Sequence, residues 1–282
     1  VLTKRIEHLI NIGVSPQNIL AVTFSNKAAN EMKERINGNN KNDSTVTTFH
    51  KLGLSILREE FNLNDQEKFF GIIDYDEQKA LMKNKLELSE KQAVQAITKI
   101  SRLKQSVFSE NITKDETLQK YTNELKKLNV IDLDDLVYLP VKIFIKNPDI
   151  LNKYQKKYKW VLVDEFQDIN AIQYQFLKLL TKGNNLFVIG DPDQAIYGFR
   201  GSKPEFIEHF IKEHTSAKLI KLQRSYRCPQ VILEGAASAI KKINPLKNKD
   251  KEGTLISVHE FPTDKSEAEW IATQIERIIG GT

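Results

Sequence analysis

Two short apolar runs that end in acids constrain this chain most. Trp160-Val161-Leu162-Val163 stops at Asp164-Glu165, and Leu186-Phe187-Val188-Ile189 stops at Gly190-Asp191. Continuous apolar runs of this length, bounded by turn residues, read as strands buried on both faces, the pattern of a parallel sheet covered by helices. Ile19-Leu20-Ala21-Val22-Thr23-Phe24 is a third such run. A helical pattern follows it from Asn26 to Ile36, with Ala28, Ala29 and Met32 on one side. Thr45 to Thr48 reads as another strand, followed by a helix from about His50 to Glu60. The βαβα rhythm predicts an α/β fold. In open α/β sheets, ligands sit at the carboxyl ends of strands, where these acids fall.

The texture changes between about Asp65 and Lys157. Helical spacing dominates there, and Lys, Glu, Gln and Asn are dense. This stretch is expected to be a helical insertion with polar outer faces. Strand signals return at Trp160, with a helix expected over about 171–180. Lys218 to Leu222 and Thr254 to Phe261 are further candidate strands, and a helix is expected from Lys265 to Ile279. Leu2, Ile6, Leu9 and Ile10 make residues 1–12 an amphipathic helix with no cap before it. That start, the missing initiator Met and the tail directly after a helix lead us to expect a piece of a longer protein.

Composition narrows the classes. Of the 282 residues, 40% are hydrophobic and 28% charged, enough apolar material for a core and against wholesale disorder. The single cysteine, Cys228, excludes a disulfide framework and a cysteine-based zinc site. No apolar run approaches the ~18 residues needed to cross a bilayer, and no secretory leader is visible at the start. A cytoplasmic, intracellular protein is the expectation. The net charge of +5 permits a polyanionic partner without demanding one.

Adjacent carboxylates at a strand's carboxyl end suit nucleotide hydrolysis. One can hold Mg²⁺ and the other can polarise the attacking water. An acid pair that merely caps the next turn is the plain alternative. The second acidic run continues through Gln194, Tyr197, Phe199 and Arg200. A glutamine just past a strand end can bond a terminal phosphate or the attacking water. Aromatics interleaved with a cation suit stacking on single-strand bases, although either aromatic alone suits ordinary packing. In Leu222-Gln223-Arg224-Ser225-Tyr226-Arg227-Cys228-Pro229, Tyr-Arg can stack a base and pair with a phosphate, or simply form a surface turn.

Together these segments resemble the superfamily 1A DNA helicases, the UvrD/Rep/PcrA group. Val163 through Asn170 matches the family pattern V-D-E-Y/F-Q-D-x-N, and Gly190 through Gly201 matches G-D-x-D-Q-S/A-I-Y-x-F/W-R-G. Ala21 through Ala29 resembles the early strand–helix motif, Thr47-Thr48-Phe49-His50 the T-F-H motif, and Asp132 through Leu136 the acidic D-F-D-D-L stretch. The resemblance implies a RecA-like, parallel-sheet P-loop NTPase motor domain at 1–50 and 158–223. It places a helical insertion at 51–157 and the beginning of a second α/β motor domain at 224–282. It implies ATP and Mg²⁺ as cofactors, with single-stranded DNA and single/double-strand junctions as partners. Translocation would run 3′ to 5′.

By the same resemblance, Asp164 binds Mg²⁺, with Glu165 beside it orienting or activating water. Gln194 contacts the γ-phosphate or the water. Tyr226 stacks on adenine and Arg227 reaches the γ-phosphate. Phe24, Asn26, Thr48, His50, Tyr197, Phe199 and Arg200 line the single-strand track, and Gln167 connects the nucleotide and DNA sites. Some positions depart from the family pattern. Arg224-Ser225 stands where an asparagine usually precedes Tyr-Arg, Phe199 replaces a common tryptophan, and Ser25 a common threonine. No G-x-x-x-x-G-K-S/T occurs in the sequence, and the family's late motifs with their arginine finger are absent. The backbone and lysine of that phosphate loop cradle the nucleotide, so the chain alone is expected to be inactive. Two other readings of the parent remain: the motor part of a recombination helicase–nuclease subunit, and a non-catalytic DNA- or partner-binding module.

Overall fold

A computed structural model describes residues 1–37, 43–62, 70–105, 115–241, 246–248, 253 and 255–280, except the side chains of residues 37, 61, 62 and 200. It divides the chain into two compact units, Val1–Ser216 and Ala217–Thr282.

The first unit is built on a parallel four-stranded sheet with strand order β2-β1-β5-β6. The strands are β1 (Ile19–Thr23), β2 (Thr45–Thr48), β5 (Trp160–Val163) and β6 (Asn185–Val188). Ala21 sits opposite Val46 on one side and Leu162 on the other. All five residues of β1 are buried because helices cover both faces. Leu20, Val22, Val161 and Val163 join one core, while Ile19, Ala21 and Leu162 join another. This is the period-two alternation of a strand.

Helix α1 (Leu2–Asn11) and α2 (Asn26–Asn37) pack on the second face through Leu2, Ile6, Leu9, Ala29 and Met32. The first face is covered by α3 (Phe49–Asn62), α7 (Asp135–Lys146), α8 (Pro148–Lys157), α9 (Ala171–Leu180) and α10 (Phe206–Glu213). Helices α3 and α7 approach so closely that a Cβ on Gly53 would stand 1.6 Å from the Leu136 carbonyl oxygen. Gly53→Ala is therefore expected to cost at least about 1–3 kcal/mol, because backbone must move to relieve the clash. A urea midpoint unchanged by the substitution would contradict this.

The insertion contains α4 (Tyr75–Lys85), α5 (Glu90–Gln105) and α6 (Glu116–Leu128) around a separate core of Met82, Ala93, Ile97, Ile100, Leu118, Tyr121 and Leu125. It also holds a small parallel sheet that the sequence reading did not anticipate. β3 (Gly71–Ile73) pairs with β4 (Val130–Asp132). At three residues each, these strands are too short to show a period. Residues 65–69 and 106–114 of the expected helical stretch lie outside the described residues.

The second unit contains α11 (Gln230–Ala239) and α12 (Asp264–Ile278). The strands expected at 218–222 and 254–261 do not form among its described residues, and Thr254 lies outside them. A strand needs a ladder partner. Among the described residues these segments have none, the isolated bridge between Arg224 and Lys247 lying outside both, and Leu219, Ile220, Leu222, Leu255 and Val258 stay exposed.

Candidate nucleotide and single-strand site

The candidate site forms where β5 and β6 leave the sheet. The Asp164 N–H donates to the Val22 carbonyl at 3.0 Å, extending the ladder one residue past β5. Glu165 then adopts a left-handed backbone, φ 52° and ψ 47°. A non-glycine residue in that region costs about 1–3 kcal/mol. The turn is pinned on its far side, where the buried Phe166 donates its N–H to the Ile189 carbonyl at 2.9 Å. The break separates the adjacent acids. Asp164 stays half-buried and Glu165 is exposed.

Burial pushes the Asp164 carboxyl above the usual carboxylate range, and the neighbouring Glu165 charge adds to it. A divalent cation beside Asp164 would relieve the raised carboxyl. Among the described residues no group of three or more His, Cys, Asp or Glu stands ready to hold a metal ion. Few protein ligands suit Mg²⁺, which keeps waters and binds through one or two carboxylates plus substrate phosphates.

Gln167 is only 1% exposed and has both ends of its amide engaged. Its Nε2 donates to Glu165 Oε2 at 2.7 Å, and its Oε1 accepts the Asp191 N–H at 3.0 Å. It thus joins the end of β5 to the loop after β6. Gly190 allows this approach, because a Cβ there would lie 3.0 Å from Gln167 Oε1. Asp168 is buried beside it. Burial, then the Glu165 charge, raise its carboxyl pKa, and its Oδ1 has no hydrogen-bond partner. Asn170, the last residue of this motif, caps α9 reciprocally with Gln173.

Gln194 is exposed and donates from Nε2 to Asp191 Oδ2 at 2.7 Å. Three residues further on, Tyr197 stacks on Phe24 from the end of β1, with ring centroids 4.8 Å apart and planes 25° from parallel. Phe199 lies 6.1 Å from Tyr197 and is 80% exposed. The three rings form one aromatic platform at the carboxyl end of the sheet. The side chain of Arg200 lies outside the described residues.

The remaining candidates are more dispersed. Asn26 is exposed at the first position of α2, and Ser25 caps that helix by accepting the Ala28 N–H at 3.2 Å. Thr48 is only 5% exposed, and its hydroxyl faces the Lys51 N–H at 3.4 Å, leaving little of it for a ligand. His50 keeps an exposed face, yet crowding by protein atoms lowers its pKa while the Asp134 charge opposes that. Tyr226 and Arg227 belong to the second unit. Both are exposed there, and the Arg224 guanidinium sits 5.0 Å from the Tyr226 ring.

Two residues to which the sequence assigned no role stand out. Asp191 links Gln167 to Gln194. Lys104, 2% exposed, pairs with Asp132 Oδ2 at 2.6 Å and Asp135 Oδ1 at 2.8 Å. The Tyr121 hydroxyl donates to the same Asp132 oxygen at 2.9 Å. The acidic stretch thus serves as a buried ionic joint. The signal for Lys104 was its place four residues after Ile100 on the apolar stripe of α5.

An acid pair after one strand is thus tied through a glutamine to an aromatic loop after the next. Residues 1–215 match the UvrD/REP helicase N-terminal domain family model, and the chain belongs to that family. The "Probable DNA helicase II homolog" of Rickettsia felis is 36% identical over 310 residues, covering 99% of this chain and 47% of that protein. The "ATP-dependent DNA helicase PcrA" of Leuconostoc citreum is 36% identical over 307 residues, covering 99% and 41%. The protein of the same name from Staphylococcus aureus is 35% identical over 301 residues, covering 98% and 41%. The chain thus spans under half the length of these curated relatives. No helix among its described residues is long and apolar enough to cross a membrane.

Proposed function

We propose that this chain is part of an ATP-dependent motor that moves 3′ to 5′ along single-stranded DNA and unwinds duplex at junctions, acting in the cytoplasm. The observation that carries the reading is the Gln167 bridge, which ties Glu165 to the loop that bears Tyr197 and Phe199. Asp164 would hold Mg²⁺, which draws charge from the phosphates when bound. Glu165 takes a proton from, or orients, the attacking water. Gln194 contacts the water or the γ-phosphate, Tyr226 the adenine and Arg227 the γ-phosphate. The aromatic platform receives bases, with Asn26, Thr48, His50 and Arg200 beside the strand. Residues 1–50 and 158–223 would form the first motor domain, 51–157 its insertion, and 224–282 the beginning of the second.

The binding half is testable on the chain itself. A labelled oligothymidylate should bind at low salt more tightly than a duplex of equal length, and weaken as salt rises. Stacking is worth about 1–3 kcal/mol per base, so Phe199→Ala should weaken single-strand binding by ~5- to 150-fold. Equal affinity for single strand and duplex, unmoved by Phe199→Ala, contradicts the DNA assignment. ATP turnover by the 282-residue chain, which has no phosphate-loop sequence, should not exceed that of its Glu165→Gln variant.

A further inference from the structure

We infer that Asp191 is a positioning residue that holds the Gln194 amide and ties it to Glu165. Asp191 uses every polar group it has in this loop. Its N–H donates to Gln167 Oε1 at 3.0 Å. Its Oδ1 accepts the Asp193 N–H at 3.1 Å, closing the short turn Pro192–Gln194. Its Oδ2 accepts from Gln194 Nε2 at 2.7 Å, the length of a charge-assisted bond. A continuous line therefore runs Glu165, Gln167, Asp191, Gln194.

The chemistry of the pair fixes an atom assignment that an amide alone leaves ambiguous. An ionised carboxylate only accepts, so the atom of Gln194 that faces it must be the amide nitrogen. Gln194 is otherwise exposed. Without a partner, an exposed glutamine samples several rotamers, and ordering it costs side-chain entropy. The Asp191 carboxylate removes part of that freedom in advance. It also fixes the spacing between the group that handles water and the group that meets the terminal phosphate. The β5 acid and the β6 glutamine then act as one rigid unit. The catalytic part of this inference rests on the hydrolase reading above. The structural part does not.

Two measurements separate the parts. In the 282-residue chain, Asp191→Asn should move the Gln194 side-chain amide resonances towards those of a mobile, solvent-exposed glutamine, with a matching rise in their motion. The substitution keeps the side-chain volume and a carbonyl for the Asp193 N–H. Gln194 resonances unchanged by Asp191→Asn would overturn the positioning role, whatever the protein hydrolyses. In a protein of the relatives' length carrying this chain, Asp191→Asn should lower kcat by ~10- to 100-fold with KM for ATP little changed. In a Gln194→Ala background it should lower kcat no further. Equal losses in both backgrounds would show that Asp191 does not act through Gln194, and would overturn the catalytic part.

Discussion

Lys104→Ala is expected to destabilise the first unit by about 3–5 kcal/mol at neutral pH. The lysine comes from α5, and its two carboxylate partners come from β4 and the start of α7. All three side chains are nearly inaccessible to water. Removing the cation strands two acids in a low-dielectric site, where an uncompensated charge is costly. The pH dependence follows from Asp135. Burial pushes its carboxyl up to about 6, against an ordinary 3.8. Its folded pKa is thus above its unfolded one, so this group weakens the fold as pH rises from about 4 to about 6. Without Lys104 that penalty grows, since the lysine charge is what lowers the carboxyl. The deficit of Lys104→Ala should therefore be larger at pH 7 than at pH 5, because on acidification Asp135 takes up its proton earlier in the variant than in the wild type. Urea unfolding of wild type and variant at pH 7 and pH 5 reads this directly. A deficit below 1 kcal/mol, or one that grows on acidification, sinks the account of the joint. Replacing Lys104 by Met together with Asp132→Asn and Asp135→Asn should restore much of the loss, because no net charge is then buried.

Glu165→Gln in a protein of the relatives' length should lower ATP turnover by ~10²- to 10⁴-fold, the usual contribution of a positioned acid–base group. Nucleotide binding should persist. The glutamine keeps the size of the side chain, and its carbonyl oxygen can still accept from Gln167 Nε2, as Glu165 Oε2 does at 2.7 Å. What it loses is basicity. Asp164→Asn should differ, weakening Mg²⁺-dependent nucleotide binding as well as turnover. Unchanged turnover in Glu165→Gln would remove the proposed role of this acid.

Much of the fold was legible because the sheet is buried on both faces. Ile19 to Thr23 and Trp160 to Val163 read as apolar runs for that reason, and the acids that stop the second, Asp164 and Glu165, mark the candidate site. Other features depend on partners distant in sequence. Asp191 looks like a turn acid until its two oxygens are seen to be engaged. Lys104 falls on the apolar stripe of α5, yet nothing local shows Asp132 waiting 28 residues on. Thr48, expected to line the single-strand track, is buried where β2 runs directly into α3. The two strands expected in the second unit had the right residues, but β structure requires a neighbour that their sequence does not encode.

The coupling of nucleotide chemistry to a single strand is the central claim. The direct test is the rate of ATP hydrolysis by a protein of the relatives' length carrying this chain, with and without a single-stranded oligonucleotide. The account predicts turnover that rises with single strand and rises far less with a blunt duplex of equal length. Hydrolysis indifferent to DNA, or none under either condition, would contradict it.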